Sequence, residues 1–137
     1  MKKIFRLTVI VFFILILTSC GENKSDKLRV YNWGDYIDPV TITMFEREYG
    51  VSVNYETYSS NEDLYVKVKK SSDAYDVIVP SDYMIERMIA EGLIQKINLD
   101  NIPNFKGVIE DIKYPEFDPT NEYSMPYFWG TIGVIYN

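Results

Sequence analysis

Two short segments of the chain combine aromatic rings with hydroxyl or carboxylate groups. The first is Trp33-Gly34-Asp35-Tyr36 and the second is Ser81-Asp82-Tyr83. Aromatic faces attract ammonium groups, and a carboxylate balances a positive charge that enters a poorly hydrated cleft. The two segments therefore suit an elongated organic cation. A purely structural interpretation is also open, in which Trp33 and Tyr36 are core aromatics and Asp35 is a solvated turn residue.

The composition excludes several kinds of chemistry. The 137 residues include one Cys and no His. Neither a Ser-His-Asp nor a Cys-His nucleophilic site can be built from them, and neither can an internal disulfide or a cysteine-rich zinc site. A carboxylate pair such as Asp35 and Asp82 could in principle hydrolyse a glycoside. Nothing in the sequence positions a nucleophile, however, and we expect no enzymatic activity, no metal and no cofactor.

The charge of the chain argues against nucleic-acid binding. Three of its 14 basic residues, Lys2, Lys3 and Arg6, lie within the first 20 positions, which contain no acid. The remaining 117 residues carry 11 basic and 20 acidic side chains, a formal charge of −9. A nucleic-acid surface requires the opposite sign, because binding displaces counterions from phosphates. An acidic domain is compatible with cationic ligands.

The first 20 residues have the form of a bacterial export signal. A basic start precedes the apolar stretch 7–17, and small residues follow it. The apolar stretch is about half of the ~20 residues that a membrane-spanning helix needs. We therefore predict a signal peptide at 1–20 rather than a permanent transmembrane anchor.

The end of this signal, Leu17-Thr18-Ser19-Cys20, resembles the lipobox of bacterial lipoproteins. The resemblance implies cleavage before Cys20, which then becomes the lipidated first residue. A thioether-linked diacylglycerol supplies two acyl chains, which are enough for stable anchoring. The alternative is an ordinary cleavage site with a Cys nearby by chance. Residues 21–27 are small and polar, as expected for a tether between a membrane and a folded domain.

The segments around the two candidate loops alternate between strand and helix patterns. Strands are predicted at 28–31 and 51–55, where apolar and polar residues alternate. Between them a helix is predicted, with Asp38 as N-cap, Pro39 at its first position and Gly50 at its end. The apolar face of this helix is formed by Ile42, Phe45 and Tyr49.

The alternation continues through the second candidate loop. Asn61 is predicted to cap a helix that runs to about residue 70 and buries Leu64, Val66 and Val68. A third strand is predicted at 75–79, because its continuous apolar run is typical of a strand covered on both faces. Ser81 is predicted to cap a third helix that ends at Gly92. The inward residues of that helix are Met84, Ile85, Met88 and Ile89.

This order of elements predicts an α/β fold with a parallel sheet and right-handed crossovers. The segment 98–120 contains three prolines and is predicted to be irregular, whereas 123–137 is predicted to be strand-like. In an open parallel sheet, ligands bind beyond the carboxyl ends of the strands. Both candidate loops occupy such positions.

From residue 28 onward the chain resembles the N-terminal lobe of the spermidine/putrescine-binding proteins of polyamine ABC importers. The ordered blocks that carry the resemblance are YNWGDYIDP (31–39), MFEREYGVSVNYETYSSNEDLYVKV (44–68), YDVIVPSDYMIERMIAEGLI (75–94) and MPYFWGTIGVIYN (125–137). Together they cover nearly all of the chain after the signal segment, and the spacing between the blocks matches as well.

The resemblance implies roles for individual residues. The first loop would place Trp33, Asp35 and Tyr36 around one end of the polyamine, and the second loop would contribute Ser81 and Tyr83. Position 34 is Gly where family members often have Ser or Thr, so a side-chain contact is missing there.

The resemblance also implies an architecture and a role for the whole protein. Residues 28–137 would form the N-terminal lobe of a two-lobed, hinged fold of the type II periplasmic-binding-protein kind, with the second lobe absent from these residues. The protein would be a lipoprotein that captures polyamine and delivers it to the permease subunits of an ABC importer. It would be exported and anchored at the outer side of the cytoplasmic membrane or in the periplasm.

Two alternatives stay open. The same fold could bind another small solute, or the chain could be a truncated surface lipoprotein that takes no part in transport. Because one wall alone cannot enclose a ligand, we expect weak or undetectable polyamine binding by residues 21–137 in isolation.

Overall fold

The computed structural model describes residues 27–71, 73–130 and 133–136. Three parallel strands form one sheet in the order β2-β1-β3, with β1 at Lys27–Trp33, β2 at Ser52–Tyr58 and β3 at Val77–Ile78. Each strand is followed by a helix. These helices are α1 (Pro39–Tyr49), α2 (Asn61–Lys70) and α3 (Asp82–Ala90). The predicted α/β class and parallel sheet are confirmed.

The helix ends follow local signals in the sequence. The Asp38 carboxylate accepts a hydrogen bond from the backbone N–H of Val40 at 2.9 Å, and Pro39 opens α1 as predicted. Gly50 ends this helix in the left-handed region, with φ of 67°. The predicted cap of α2 is wrong by one position, because Ser60 accepts from the backbone N–H of Asp63 and Asn61 already lies inside the helix.

The register of the sheet aligns the carboxyl ends of its strands. Lys27 lies opposite Ser52, and Trp33 lies opposite Tyr58 at the other end of the same ladder. On its second side β1 pairs with β3, where Tyr31 lies opposite Ile78. The loops that follow all three strands therefore emerge at one edge of the sheet, which we call the carboxyl edge.

The buried core lies between the sheet and helices α2 and α3. Leu64 and Val68 are buried as predicted, but Val66 is 64% exposed and Tyr65 takes its place. At ~100° per residue, position 66 points away from the face that positions 64 and 68 share. Met84 and Met88 are fully buried as predicted, whereas Ile85 and Ile89 are partly buried.

The apolar face of α1 is largely open to solvent. Phe45 and Tyr49 contact each other with ring centroids 4.5 Å apart, yet they are 37% and 62% exposed. The predicted helix is confirmed, but none of its residues is buried.

The two other predicted strands are shorter than expected or absent. β3 comprises only two residues, and Val77 is 44% exposed, so the prediction of a strand covered on both faces is wrong. Residues 123–130 and 133–136 contain no strand, although the sequence predicts one there. A strand forms only where a neighbour accepts its backbone hydrogen bonds. Thr131, Ile132 and Asn137 lie outside the described residues.

The irregular segment predicted at 98–120 is confirmed. It contains three short 3-10 turns, at Leu99–Asn101, Pro103–Gly107 and Glu110–Ile112. Buried Asp118 then accepts hydrogen bonds from the backbone N–H groups of Glu122, Tyr123 and Ser124 and from the Ser124 hydroxyl. This arrangement fixes the chain just before it reaches the carboxyl edge.

Across residues 27–71, 73–130 and 133–136, no helix has the length and apolar character needed to cross a membrane. The predicted signal peptide, the lipidation at Cys20 and residues 21–26 of the tether lie outside the described residues. The last tether residue, Lys27, is the first residue of β1.

Candidate functional site

Aromatic rings gather at the carboxyl edge around the end of β1. The Trp33 ring lies 4.6 Å from the Tyr58 ring and 5.9 Å from the Tyr36 ring, measured between centroids. The Phe128 ring meets Tyr36 edge-on at 5.3 Å. We call these four residues the aromatic cluster. The structure thus brings together Trp33 and Tyr36, as predicted, and adds two rings from distant parts of the chain.

Two tyrosine hydroxyls fix this cluster to the backbone. Tyr58 donates to the carbonyl oxygen of Val79, and Tyr127 donates to the carbonyl oxygen of Tyr36. Burial is the main cause that raises the pKa of Tyr58 above its ordinary value, so the phenol stays a neutral donor. Tyr58 therefore ties the end of β2 to the loop after β3.

Asp35 lies between Trp33 and Tyr36 in the sequence and is exposed. Among the described residues, none donates a hydrogen bond to this carboxylate or pairs with it. It is therefore available for a charged ligand that approaches the exposed ring of Tyr36 and the partly buried ring of Trp33.

A second, polar group joins the loops after β2 and β3. Asn61 donates from Nδ2 to the Ser81 hydroxyl at 3.0 Å and to the Tyr83 hydroxyl at 2.9 Å, and its Oδ1 accepts from the Ser81 backbone N–H at 3.0 Å. We call Asn61, Ser81 and Tyr83 the polar junction. The predicted N-cap position of Ser81 in α3 is confirmed, but the Ser81 side chain makes no capping hydrogen bond.

The electrostatics of the carboxyl edge are acidic. The loops and first helical turns at 34–38, 59–63 and 79–83 contain no Lys or Arg. Their carboxylates are Asp35, Asp38, Glu62, Asp63 and Asp82. Helix N-termini carry partial positive charge, and these carboxylates more than offset it. The edge therefore attracts cations.

Several residues of the aromatic cluster and the polar junction, or in contact with them, are absent from the sequence-based prediction. Tyr58 could have been found from its alternation in β2, which places it level with Trp33. The residues around Asn61 in the sequence indicate only a helix cap. They do not predict its contacts with the loop after β3. Tyr127 and Phe128 reach Tyr36 across about 90 residues of sequence, and their periodicity predicts a strand instead.

Comparison with known proteins shows what the chain as a whole is similar to. The family model described as hypothetical lipoprotein (MG045 family) matches residues 1–114. The spermidine/putrescine-binding periplasmic protein of Escherichia coli is 39% identical over 122 residues, which are 88% of this chain and 35% of that protein.

Solved structures agree with this sequence match. A putative spermidine/putrescine ABC transporter protein from Listeria monocytogenes superimposes with a TM-score of 0.75 at 45% identity, covering 77% of this chain and 33% of that one. The Tp0655 (TpPotD) lipoprotein of Treponema pallidum gives a TM-score of 0.72 at 38% identity, covering 75% and 33%. The chain thus spans about a third of the length of these relatives.

These matches confirm the resemblance to spermidine/putrescine-binding proteins and the lobe-like α/β fold. The family model covers most of the chain, including both candidate loops. The chain belongs to the MG045 family of hypothetical lipoproteins.

Proposed function

We propose that this chain supplies one wall of the ligand cleft in an extracytoplasmic lipoprotein that captures polyamines, such as spermidine and putrescine, for an ABC importer. The observation that carries the proposal is made at the carboxyl edge, where the partly buried Trp33 ring and the exposed Tyr36 ring lie on either side of Asp35 in the sequence. Within the part of the chain that the structure describes, the Asp35 carboxylate has no hydrogen-bonding or ionic partner, and the segments 34–38, 59–63 and 79–83 contain no basic residue. The names of the relatives support the same ligand class.

The chemistry of a polyamine fits the two parts of the site. Its methylene chain packs against the rings of Trp33 and Tyr36, and each ammonium over an aromatic face gains ~0.5–2 kcal/mol. The Asp35 carboxylate balances the charge of one terminal ammonium, which would otherwise be costly to desolvate. Ser81 and Tyr83 offer hydroxyl oxygens to an amine farther along the ligand.

The proposed mechanism is capture and delivery, and no covalent bond forms or breaks. A second lobe would close over the ligand, as the two-lobed resemblance implies, and the permease subunits would recognise the closed form. The export signal and lipidation at Cys20 would hold the protein at the outer side of the membrane. The family description and the Treponema lipoprotein support this anchoring.

The test is to compare the full-length gene product with its Asp35→Asn variant by calorimetric titration with putrescine and spermidine. We expect the substitution to weaken binding by at least about tenfold, because an ammonium loses its ionic partner. Asp73→Asn is the matched control, since it removes the same charge from an exposed residue before β3, away from the carboxyl edge.

Equal affinity of the wild-type protein and the Asp35→Asn variant would remove Asp35 from the site. A protein that ignores diamines and binds a neutral or anionic solute would favour the alternative reading, in which the same fold carries another small cargo.

A further inference from the structure

Asn61 is a buried polar residue with a fixed amide orientation. It is 5% exposed, and its Oδ1 accepts from the backbone N–H of Ser81 at 3.0 Å. Because a backbone N–H can only donate, this bond identifies the oxygen end of the amide. The nitrogen end must then be the donor to Ser81 Oγ and Tyr83 OH.

The Ser81 hydroxyl bonds to Asn61 in place of the capping hydrogen bond that is usual at its position. A serine at a helix N-cap usually accepts a hydrogen bond from a backbone N–H of the first turn. In α3 that bond is absent, and the Ser81 hydroxyl accepts from Asn61 on the neighbouring helix instead. The hydroxyl is thus positioned by α2, which begins at the same edge of the sheet.

The polar junction has hydrogen-bond acceptors available for a ligand. A hydroxyl oxygen has one proton and two lone pairs, and Asn61 occupies one lone pair on Ser81 and one on Tyr83. The Tyr83 proton is donated to Glu62 Oε1 at 3.4 Å. One lone pair on each hydroxyl stays available beside a carboxylate, and an ammonium, which only donates, can use all three acceptors.

We propose that Asn61 is a positioning residue that holds the Ser81 and Tyr83 hydroxyls with their free lone pairs toward an ammonium group of the ligand. The proposal rests on the proposed function and deepens it, because the bonds from Asn61 orient the two neutral hydroxyls so that they can accept hydrogen bonds from an ammonium. Asn61 itself is a positioning residue and not a ligand contact, because it is 5% exposed and its Oδ1 already accepts from the Ser81 backbone N–H.

The first test is a double-mutant cycle for spermidine affinity in the full-length gene product. We expect Asn61→Ala and Tyr83→Phe each to weaken binding by about tenfold. The double variant should bind little worse than either single one, because the Tyr83 hydroxyl helps only when Asn61 orients it. Additive losses would overturn the proposal.

Tyr65→Phe is the control for a merely structural effect. Tyr65 lies on the same helix, and its hydroxyl donates a hydrogen bond at 2.8 Å to Glu91, the C-cap residue of α3. This variant should lose stability without losing affinity. An equal affinity loss in Tyr65→Phe would show that any weakening of the contact between α2 and α3 suffices, which contradicts a specific role for Asn61.

The second test needs no ligand. In nitrogen-15 NMR spectra of the unliganded protein, the side-chain amide protons of Asn61 should exchange slowly, and Tyr83→Phe should shift one of them. Exchange as fast as that of exposed Asn101, or no response to Tyr83→Phe, would refute the proposal whatever the protein binds. If these signals behave as expected and the wild-type protein binds no polyamine, the orienting role of Asn61 stands and the proposed function fails.

Discussion

Individual residues at the carboxyl edge are held in place by contacts within the protein and are still exposed to solvent. Tyr36 is held through its carbonyl oxygen, which accepts from Tyr127, and through ring contacts with Trp33 and Phe128, yet it is 41% exposed. Tyr83 is held through its hydroxyl and is 52% exposed. Side chains that are already ordered lose little conformational entropy when a ligand binds. This preorganisation suits a small, flexible ligand that itself loses freedom on binding.

Glu91 provides a test of single-residue electrostatics away from the site. Its carboxylate accepts hydrogen bonds from Lys69, Tyr65 and Arg87, and these lower its pKa from 4.5 to about 2. A carboxyl with a lowered pKa in the folded state stabilises the protein above pH 4.5, and this contribution is lost as the pH falls toward about 2.

We therefore expect Glu91→Gln to lower the free energy of unfolding at neutral pH. The difference from the wild-type protein should shrink as the pH falls below 4.5. Urea unfolding at a series of pH values measures this difference. A difference that does not change with pH would show that the ion pairs of Glu91 contribute nothing.

At the scale of elements, the turn around Asp118 connects the irregular segment to the site. Asp118 is 3% exposed, and its Oδ2 accepts from two backbone N–H groups and from the Ser124 hydroxyl. Asn121 is fully buried with φ of 49°, and it accepts from the backbone N–H of Tyr114. The short stretch that follows carries Tyr127 and Phe128 onto Tyr36.

Asp118→Asn should therefore destabilise the protein by about 2–3 kcal/mol, because an amide oxygen cannot replace a buried carboxylate that accepts from several donors. It should also weaken ligand binding, since Phe128 would no longer be held against Tyr36. Chemical denaturation and calorimetry measure the two effects. Asp111→Asn, at an exposed position in a nearby turn, should change neither, and equal effects of both variants would contradict this role.

The sequence predicts those elements whose signals are local. Asp38, Pro39 and Gly50 mark the ends of α1 by their own backbone chemistry, and the structure confirms them. The apolar side chain of Val66 predicts a core position, which is wrong, because helical geometry places Tyr65 there. The strand predicted at 123–137 fails in its described part, because strand formation depends on a neighbour that no local pattern reveals.

For the candidate site too, residues with a local signal could be predicted and contacts between distant residues could not. Trp33, Asp35 and Tyr36 could be proposed from residue types within one loop, and Ser81 and Tyr83 from the loop that follows β3. Contacts between loops could not be predicted, because Asn61 and Phe128 act on residues far away in sequence. Ligand binding by the five predicted residues stays a prediction.

The molecule as a whole separates its charges along the strand direction. Five carboxylates and no basic residue lie in the loops and first helical turns at the carboxyl edge. The last turns of the helices, at the opposite edge, carry the bases Arg47, Lys67, Lys69, Lys70 and Arg87, which outnumber the acids Glu46, Glu48 and Glu91 there. Such a distribution steers a polycation toward one edge, most strongly at low ionic strength.

One side of the molecule is open to solvent, and the chain is shorter than the relatives that it matches. The chain covers about a third of the solved structures that it matches, and most apolar residues of α1 are exposed. A single wall leaves a bound polyamine hydrated on its far side. Weak binding by residues 21–137 alone therefore stays an expectation of this account.

The central claim is that the carboxyl edge of this sheet holds a polyamine, and a crystal structure of the full-length gene product with spermidine tests it most directly. We expect a terminal nitrogen of spermidine within about 3 Å of an Asp35 carboxylate oxygen, with the methylene chain against the Trp33 and Tyr36 rings. A polyamine bound elsewhere on the protein, with Asp35 still exposed to solvent, would contradict the claim.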